Sequence, residues 1–352
     1  MPSYTATLGF FAALLLSRRT FFATAFQPIS QGGFRNGQLQ RPVAATPPEG
    51  PFLFEQEQDF RMELEETQPL IRVGDGPKEK VVNAFGLWCA AASMLTGPIW
   101  SATMMLIDMT LNKMESVDPH RSIYDASGKV WSKAWLTLIN SYPTITGNLE
   151  QIQERNGKPC LFVANHASWL DIPVLCTVLD PVFKFIAKGE LRTVPCIGQQ
   201  LEGGQHILID REDRRSQLKT FKETMNYLQK EKVPIMAFPE GQRSADGRLS
   251  EFKRGLFSIA VKAGVPVVPI TLSHTAAVMP SFSYFPVQSG AGKIHVHVGN
   301  PIDSQKLTES ELEAAVRAEF MEHLPASQLP LPKAPATSVV EEKAPERELQ
   351  RV

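Results

Sequence analysis

Apolar and polar positions fall in blocks along the chain, and the longest apolar block comes early. After Lys80 no charged residue occurs until Asp108, and Val81 to Ile107 is apolar or small. At about 1.5 Å of rise per helical residue this run is long enough to cross a bilayer. Gly97-Pro98 sits inside it, and proline removes a backbone donor and disfavours helix at the residue before it. The run therefore reads as one kinked membrane helix or as two shorter helices dipping into one leaflet. Trp88 and Trp100 would be its interfacial anchors. A core helical hairpin is the bland alternative. Residues 80–113 are assigned to a membrane helical segment.

Beyond it, short apolar runs alternate with helical patterns. Runs at 160–164, 182–187, 205–209, 234–238, 265–272 and 293–298 predict strands, and 216–230 and 254–263 predict helices. Residues 144–148 read as strand and turn. Residues 118–133 are polar, with Trp131 inside them and Trp135 just after. Thr308 and Glu311 form a capping box that opens a helix running to about Leu324. This alternation predicts an α/β domain with a mostly parallel or mixed sheet over residues 114–324. In such sheets ligands sit at the carboxyl ends of the strands.

The two ends carry different patterns. Leu8 to Leu16 is too short to span a bilayer and suits a signal-peptide core. An Ala23-Thr24-Ala25 cleavage pattern follows, then Phe26, then a stretch from Ile29 to Pro48 with Arg35 and Arg41 but no acid. This order over residues 1–52 resembles the bipartite presequence of algae with complex plastids, which implies delivery to a plastid membrane. A plain signal anchor or secretory signal, leaving the protein in the endoplasmic reticulum membrane, is the alternative. Residues 53–79, acidic and then broken at Gly74-Asp75-Gly76-Pro77, read as linker. Residues 325–352, rich in Pro, Lys and Glu, read as a disordered tail.

Composition narrows the class. A formal net charge of −1 with 21% charged residues gives no basic footprint for nucleic acid. The four cysteines, Cys89, Cys160, Cys176 and Cys196, have no metal-ligand spacing, so no metal site is expected.

Candidate chemistry gathers at strand ends. The run Leu161 to Ala164 ends at Asn165-His166, and Asp171 follows five residues later. An Asp bonded to one ring nitrogen fixes the imidazole tautomer, and the other nitrogen can take a proton from a hydroxyl. The bland reading is a capping box, Ser168-Trp169-Leu170-Asp171, opening a helix. Ile207-Leu208-Ile209-Asp210-Arg211 delivers an arginine that could fork onto a phosphate; the alternative is surface pairing with Glu212 or Asp213. Phe238-Pro239-Glu240-Gly241-Gln242-Arg243-Ser244 has Pro239 to stop its strand and Gly241 for a tight turn, with Glu240 and Arg243 facing the cleft. Lys253 and Arg254 add charge at a helix start, and Lys188 is a further phosphate candidate. The alternatives are an ordinary Pro-Gly turn flanked by a salt bridge and, for Lys188, a solvated loop lysine. Pro269, inside an apolar run, needs an edge, a bend or a bulge. His295 and His297 alternate on one strand and read as structural.

Taken together, these residues resemble the lysophosphatidic acid acyltransferase family. Asn165 to Asp171 is similar to its Asn-His-x-Ser-x-x-Asp motif. Ile207 to Arg211 is similar to its second motif and Phe238 to Ser244 to its Phe-Pro-Glu-Gly-Thr-Arg-Ser motif, with Gln242 in place of Thr. Val265 to Ile270, with its late Pro269, is similar to its fourth. The resemblance covers roughly residues 85–300 and implies a glycerolipid-acyltransferase-type α/β domain with a mixed sheet, preceded by a membrane-embedded helical segment. It implies transfer of a fatty acyl group from acyl-CoA or acyl carrier protein to the sn-2 hydroxyl of 1-acylglycerol-3-phosphate, making phosphatidic acid. The alternatives are a same-family enzyme acting on glycerol-3-phosphate or another lysophospholipid, and a lipid-binding scaffold that kept the fold. By analogy His166 is the base and Asp171 its orienter. Arg211, Glu240, Gly241, Arg243, Lys188 and Lys253 would bind substrate, and Asn165, Pro239 and Pro269 would support the site. The implied partners are membrane lysophosphatidate and the thioester donor, with no further cofactor.

Overall fold

The computed structural model describes residues 66–74, 76, 79–111, 118–149, 158–179, 183–210 and 213–331. The presequence at 1–52, the first part of 53–79, Arg211 and residues 332–352 lie outside the described residues.

Seven strands form the central sheet: β3 Thr144–Gly147, β4 Leu161–Ala164, β5 Lys184–Lys188, β6 Ile207–Ile209, β7 Ile235–Ala237, β8 Val267–Ser273 and β9 His295–Val298. Their order is β3-β9-β8-β4-β7-β5-β6. Every neighbouring pair is parallel except β8 and β9, so the sheet is mixed. All four residues of β4 are buried, as a strand covered on both faces requires. Alternate residues point to opposite faces. Phe162 and Ala164 join Met236 and Ile270 in one core with Trp135, Leu136, Val174 and Leu175. Leu161 and Val163 join Ile235 and Ala237 in the other, against Phe257, Ala260, Val316 and Phe320.

Pro269 lies inside β8 rather than on an edge strand, paired with Val163. Its carbonyl accepts from Gly299 N at 2.9 Å. A strand residue's N and O point the same way, so the missing N–H falls on the β9 side, where that ladder stops at Val298 and costs no ladder bond.

The long apolar run is one helix, α1 Ala84–Leu111, passing through Pro98. Its partner is α2 Ser122–Leu138, which forms within the stretch read as merely polar. Asp118 caps α2: its Oδ1 accepts from Ser122 N at 2.8 Å and its Oδ2 from Ile123 N at 3.0 Å, satisfying orphan donors of the first turn. Three tryptophans fix the pairing. The indole N–H groups of Trp135 and Trp131 donate to Ser93 at 3.0 Å and Thr96 at 3.1 Å, and Trp100 donates back to Ser127 at 3.3 Å. Partner numbers fall along α2 as they rise along α1, so the helices are antiparallel. Trp100 stacks on Trp131 at 4.4 Å and is buried, so it packs inside the hairpin and is not an interfacial anchor. Trp88 is half exposed. The other face of α1 exposes Leu95, Ile99, Met105, Leu106 and Met109. This helix is long and apolar enough to cross a membrane.

Two boundaries differ from expectation. The end of the expected linker pairs as a hairpin, β1 Ile71–Val73 with β2 Lys80–Val82, turning through Gly74 and Gly76 at positive φ. Val81 N donates to Phe282 O at 2.9 Å, which ties the hairpin to the domain. Residues 325–331 belong to the domain rather than to a disordered tail, because buried Gln328 accepts from His274 N at 2.8 Å through its side chain and from Leu249 N at 2.9 Å through its carbonyl.

At the amino-terminal edge of the sheet lies a charged cluster. Lys184 is fully buried, and its ammonium sits 2.6 Å from Asp125 of α2. His206 Nε2 lies 3.4 Å from the other Asp125 oxygen, while its Nδ1 accepts from Phe185 N at 3.0 Å. Burial, with the Lys184 charge, holds the His206 pKa down to about 3. The imidazole is therefore neutral, consistent with an accepting Nδ1.

Candidate active site

His166 leaves the carboxyl end of β4, in the middle of the sheet, on a loop that precedes α3 Asp171–Val178. Its Nδ1 is 2.8 Å from Asp171 Oδ2, and Asp171 is fully buried. The same carboxylate oxygen accepts from Ala167 N at 2.8 Å and Ser168 N at 2.9 Å. The pair forms and the capping box does not: one Asp171 oxygen ties down the loop amides and the imidazole, while Ser168 Oγ donates to Met279 O and no side chain caps α3, which starts at Asp171 itself. A carboxylate on Nδ1 selects the tautomer with Nδ1–H, which gives Nε2 the lone pair of a base. The imidazole stacks on Phe238 at 3.8 Å between centroids, so its plane is held from two sides.

The neighbours hold this loop. Asn165 clamps the Leu272 backbone in β8, donating to its carbonyl at 2.8 Å and accepting from its N–H at 2.7 Å. Ser244 N donates to His166 O at 2.8 Å. Glu240 is buried: its Oε1 accepts from His166 N at 2.7 Å and its Oε2 from Ser250 N at 2.8 Å. The amides of His166, Ala167 and Ser168 are thus all engaged by carboxylates, and an oxyanion would need other donors.

Burial, reinforced by the Asp171 charge, pushes the Glu240 carboxyl up to about 6 despite its amide bonds. A raised folded-state value means that Glu240 contributes stability below the ordinary carboxylate range, and this is lost as pH rises through about 6. The loss is about 2 kcal/mol at neutral pH. Glu240→Gln should remove this dependence. Relative to wild type, the variant should gain about 2 kcal/mol between pH 4 and pH 7.5 in chemical unfolding of the detergent-solubilised protein. A difference that stays constant across that range would mean that Glu240 ionises normally.

The basic candidates separate. Arg243 is half-buried beside this loop, and its guanidinium makes no hydrogen bond or ion pair among the described residues. Burial lowers its pKa, against the pull of the Asp171 charge. Gly241 has φ +74°, and a Cβ there would meet Lys253 Cγ at 3.3 Å. Lys253 is exposed, and its N–H donates to the carbonyl of buried Pro239 at 2.7 Å. Lys188, at the end of β5, pairs with Glu190 at 2.5 Å. Arg211 lies outside the described residues. Sequence reading missed Phe238 as the stacking partner of His166; its place at the end of the β7 run was the available signal.

A largely apolar cavity of about 150 Å³ reaches from the loop and α3 to Asp125 and His206 of the charged cluster. Trp169, Ile172, Pro173 and Cys176 line it, with Trp131 and Phe185. Burial pushes the Cys176 thiol up to about 12, so it stays protonated and unreactive.

A family model described as Acyltransferase matches residues 144–273. A 1-acyl-sn-glycerol-3-phosphate acyltransferase from Chlamydomonas reinhardtii is 45% identical over 144 residues, 41% of this chain and 43% of that protein. The chloroplastic 1-acyl-sn-glycerol-3-phosphate acyltransferase LPAT1 of Arabidopsis thaliana is 35% identical over 58% of this chain and 57% of its own length. The alignments span about half the length of these relatives. The crystal structure of PlsC, the 1-acyl-sn-glycerophosphate acyltransferase of Thermotoga maritima, superposes with a TM-score of 0.51 at 24% identity. It covers 66% of this chain and 95% of that one, and it shares the fold. A 1-acyl-sn-glycerol-3-phosphate acyltransferase from Limnanthes alba is 30% identical over 57% of this chain and 75% of its own length, and with that extent of likeness the chain belongs to the 1-acyl-sn-glycerol-3-phosphate acyltransferase family.

Proposed function

We propose that the protein transfers a fatty acyl group from a thioester, acyl-CoA or acyl carrier protein, to the sn-2 hydroxyl of 1-acylglycerol-3-phosphate, giving phosphatidic acid. The observation that carries this reading is the His166–Asp171 pair at 2.8 Å, beside a guanidinium with no partner among the described residues. His166 Nε2 takes the hydroxyl proton as the oxygen attacks the thioester carbonyl. The tetrahedral intermediate collapses, the C–S bond breaks, and the thiolate leaves with the proton that His166 returns. The acceptor brings its own nucleophile, so no acyl-enzyme is needed and the protonated Cys176 has no part. Asp171 stabilises the imidazolium formed on the way. Arg243 receives the acceptor's phosphate, with Lys253 and Lys188 at the rim. Glu240, with both oxygens on backbone amides, acts as a positioning residue, and Asn165, Pro239 and Pro269 hold the strand ends. The apolar cavity beginning at Trp169 takes acyl chain.

The exposed apolar face of α1 rests in lipid, which brings the site to the acceptor's headgroup. Residence at a plastid membrane is supported by the presequence pattern and by the chloroplastic name of a relative; fractionation into endoplasmic reticulum membranes would replace it. The deciding assay is thiol release by the protein reconstituted in vesicles, with lysophosphatidate or glycerol-3-phosphate as acceptor and each thioester as donor. Turnover with lysophosphatidate is expected. Turnover with glycerol-3-phosphate alone would move the reaction one acylation earlier.

A further inference from the structure

The hairpin before α1 carries a second cation toward the site. Lys80, the first residue of β2, donates from its ammonium to Ser281 O, and the adjacent Val81 pairs with the same segment through Phe282 O at 2.9 Å. That segment touches both active-site loops. Ser281 Oγ donates to Ala245 O at 3.0 Å, two residues beyond Arg243. Met279 O accepts from Ser168 Oγ at 2.8 Å, two residues beyond His166. Lys80 is thereby held where the Arg243 charge acts on it: burial first, and Arg243 after it, lower its pKa to about 8. No described carboxylate forms an ion pair with either cation. The neighbouring Glu79 is turned away, paired with Arg72 at 3.2 Å. The Ser281 segment thus brings the Lys80 ammonium to the loop that carries Arg243, and an anion bound near both cations would favour their charged forms. An ammonium with one of its three donors on Ser281 keeps two for that anion.

We propose that Lys80 and Arg243 together form the seat for the acceptor's phosphate monoester, so that the segment preceding the membrane helix supplies part of the acceptor site. This rests on the lysophosphatidate reading above and adds a residue to it. A phosphate monoester carries nearly two negative charges at neutral pH, which matches two cations. A choline phosphodiester carries one and would bring a third cation to the seat. Lys80 therefore selects for the free monoester.

The test uses the full-length mature protein in phosphatidylcholine vesicles, as wild type, Lys80→Met and Lys80→Arg. With lysophosphatidate as varied acceptor, Lys80→Met should raise KM roughly tenfold or more, with kcat within about threefold of wild type. Lys80→Arg should restore KM. A hairpin that merely collapsed would lower kcat in both variants and would not be rescued by arginine. Unchanged KM in Lys80→Met, with wild type active, overturns the seat and leaves the function standing. Equilibrium binding of lysophosphatidate against lysophosphatidylcholine, on the same vesicles, reads the seat without turnover. If wild type proves inactive on lysophosphatidate, the proposed function fails. The seat then stands only if Lys80→Met still loses its preference for lysophosphatidate in binding, and equal binding overturns it.

Discussion

His166→Ala is expected to lower acyl transfer by roughly 10²–10⁴-fold, the range a positioned general base supplies, while the protein stays folded and lipid-bound. The basis for separating the two effects is geometric. The imidazole bonds Asp171 and stacks on Phe238, but the loop is held by backbone groups: His166 N on Glu240, Ser244 N on His166 O, and the next two amides on Asp171. None of these needs the ring. Asp171→Asn is expected to do comparable damage by a different route, since the amide both loses the charge that stabilises imidazolium and can present an N–H to the loop amides. The double variant should be little worse than either single one, because the two residues act as a unit. Initial rates of thiol release, with vesicle flotation as the control for lipid binding, decide it. Near-normal turnover in His166→Ala would remove the base from the mechanism.

Lys184→Met should cost up to about 3–5 kcal/mol of folding stability where Asp125 stays charged, the penalty for leaving a buried charge without its partner, and less where Asp125, whose pKa burial already raises to about 7, takes up a proton. Lys184 is fully buried, and the Asp125 carboxylate at 2.6 Å is nearly so. The nearby His206 accepts an amide with Nδ1 and is held neutral, so it supplies no replacement charge. Removing both charges together, in Lys184→Met with Asp125→Leu, should return most of the loss, since a well-packed apolar pair often equals a buried ion pair. Thermal unfolding in detergent, followed by circular dichroism, measures both. If Lys184→Met melts like wild type, the cluster is hydrated and not a buried pair. The pair ties α2 to β5 at the edge of the sheet opposite His166. Lys184 and Leu161 flank the same β7 residue, Ile235; His166 lies five residues beyond Leu161, about 16 Å further along the strand direction. Its loss should therefore act on stability before it acts on kcat.

The apolar runs placed the central strands to within a few residues, because a sheet buried on both faces leaves continuous hydrophobic stretches that length and turn residues delimit. The His166–Asp171 pair was equally readable, since five residues of separation keep both groups on one loop and one helix start. What failed to show was decided by partners distant in sequence. Residues 118–133 looked polar, yet they form most of a helix whose tryptophans meet Ser93 and Thr96. The acceptors for the Trp131 and Trp135 indoles lie on the other helix. Trp100 looked like an interfacial anchor until α2 covered it.

The sequence by itself determined the local arrangement: a histidine with a carboxylate at fixed spacing, at a strand end, followed in order by the glutamate and arginine loop. Those relations are local, and short-range chain geometry is enough to impose them. Only the tertiary structure decided which charges serve the site and which serve the fold. Glu240 turned from a cleft-facing acid into a brace with both oxygens on backbone amides. Lys184 became a buried partner of Asp125. Lys80, which the sequence marks only as the last charge before the apolar run, came to donate to Ser281 O, on a segment bonded to the Arg243 loop. A side chain's charge is written in its residue type, but its burial and its partners are set largely by contacts between segments distant in the chain, 59 residues apart for Lys184 and Asp125 and 74 for His166 and Glu240, and no local pattern encodes them.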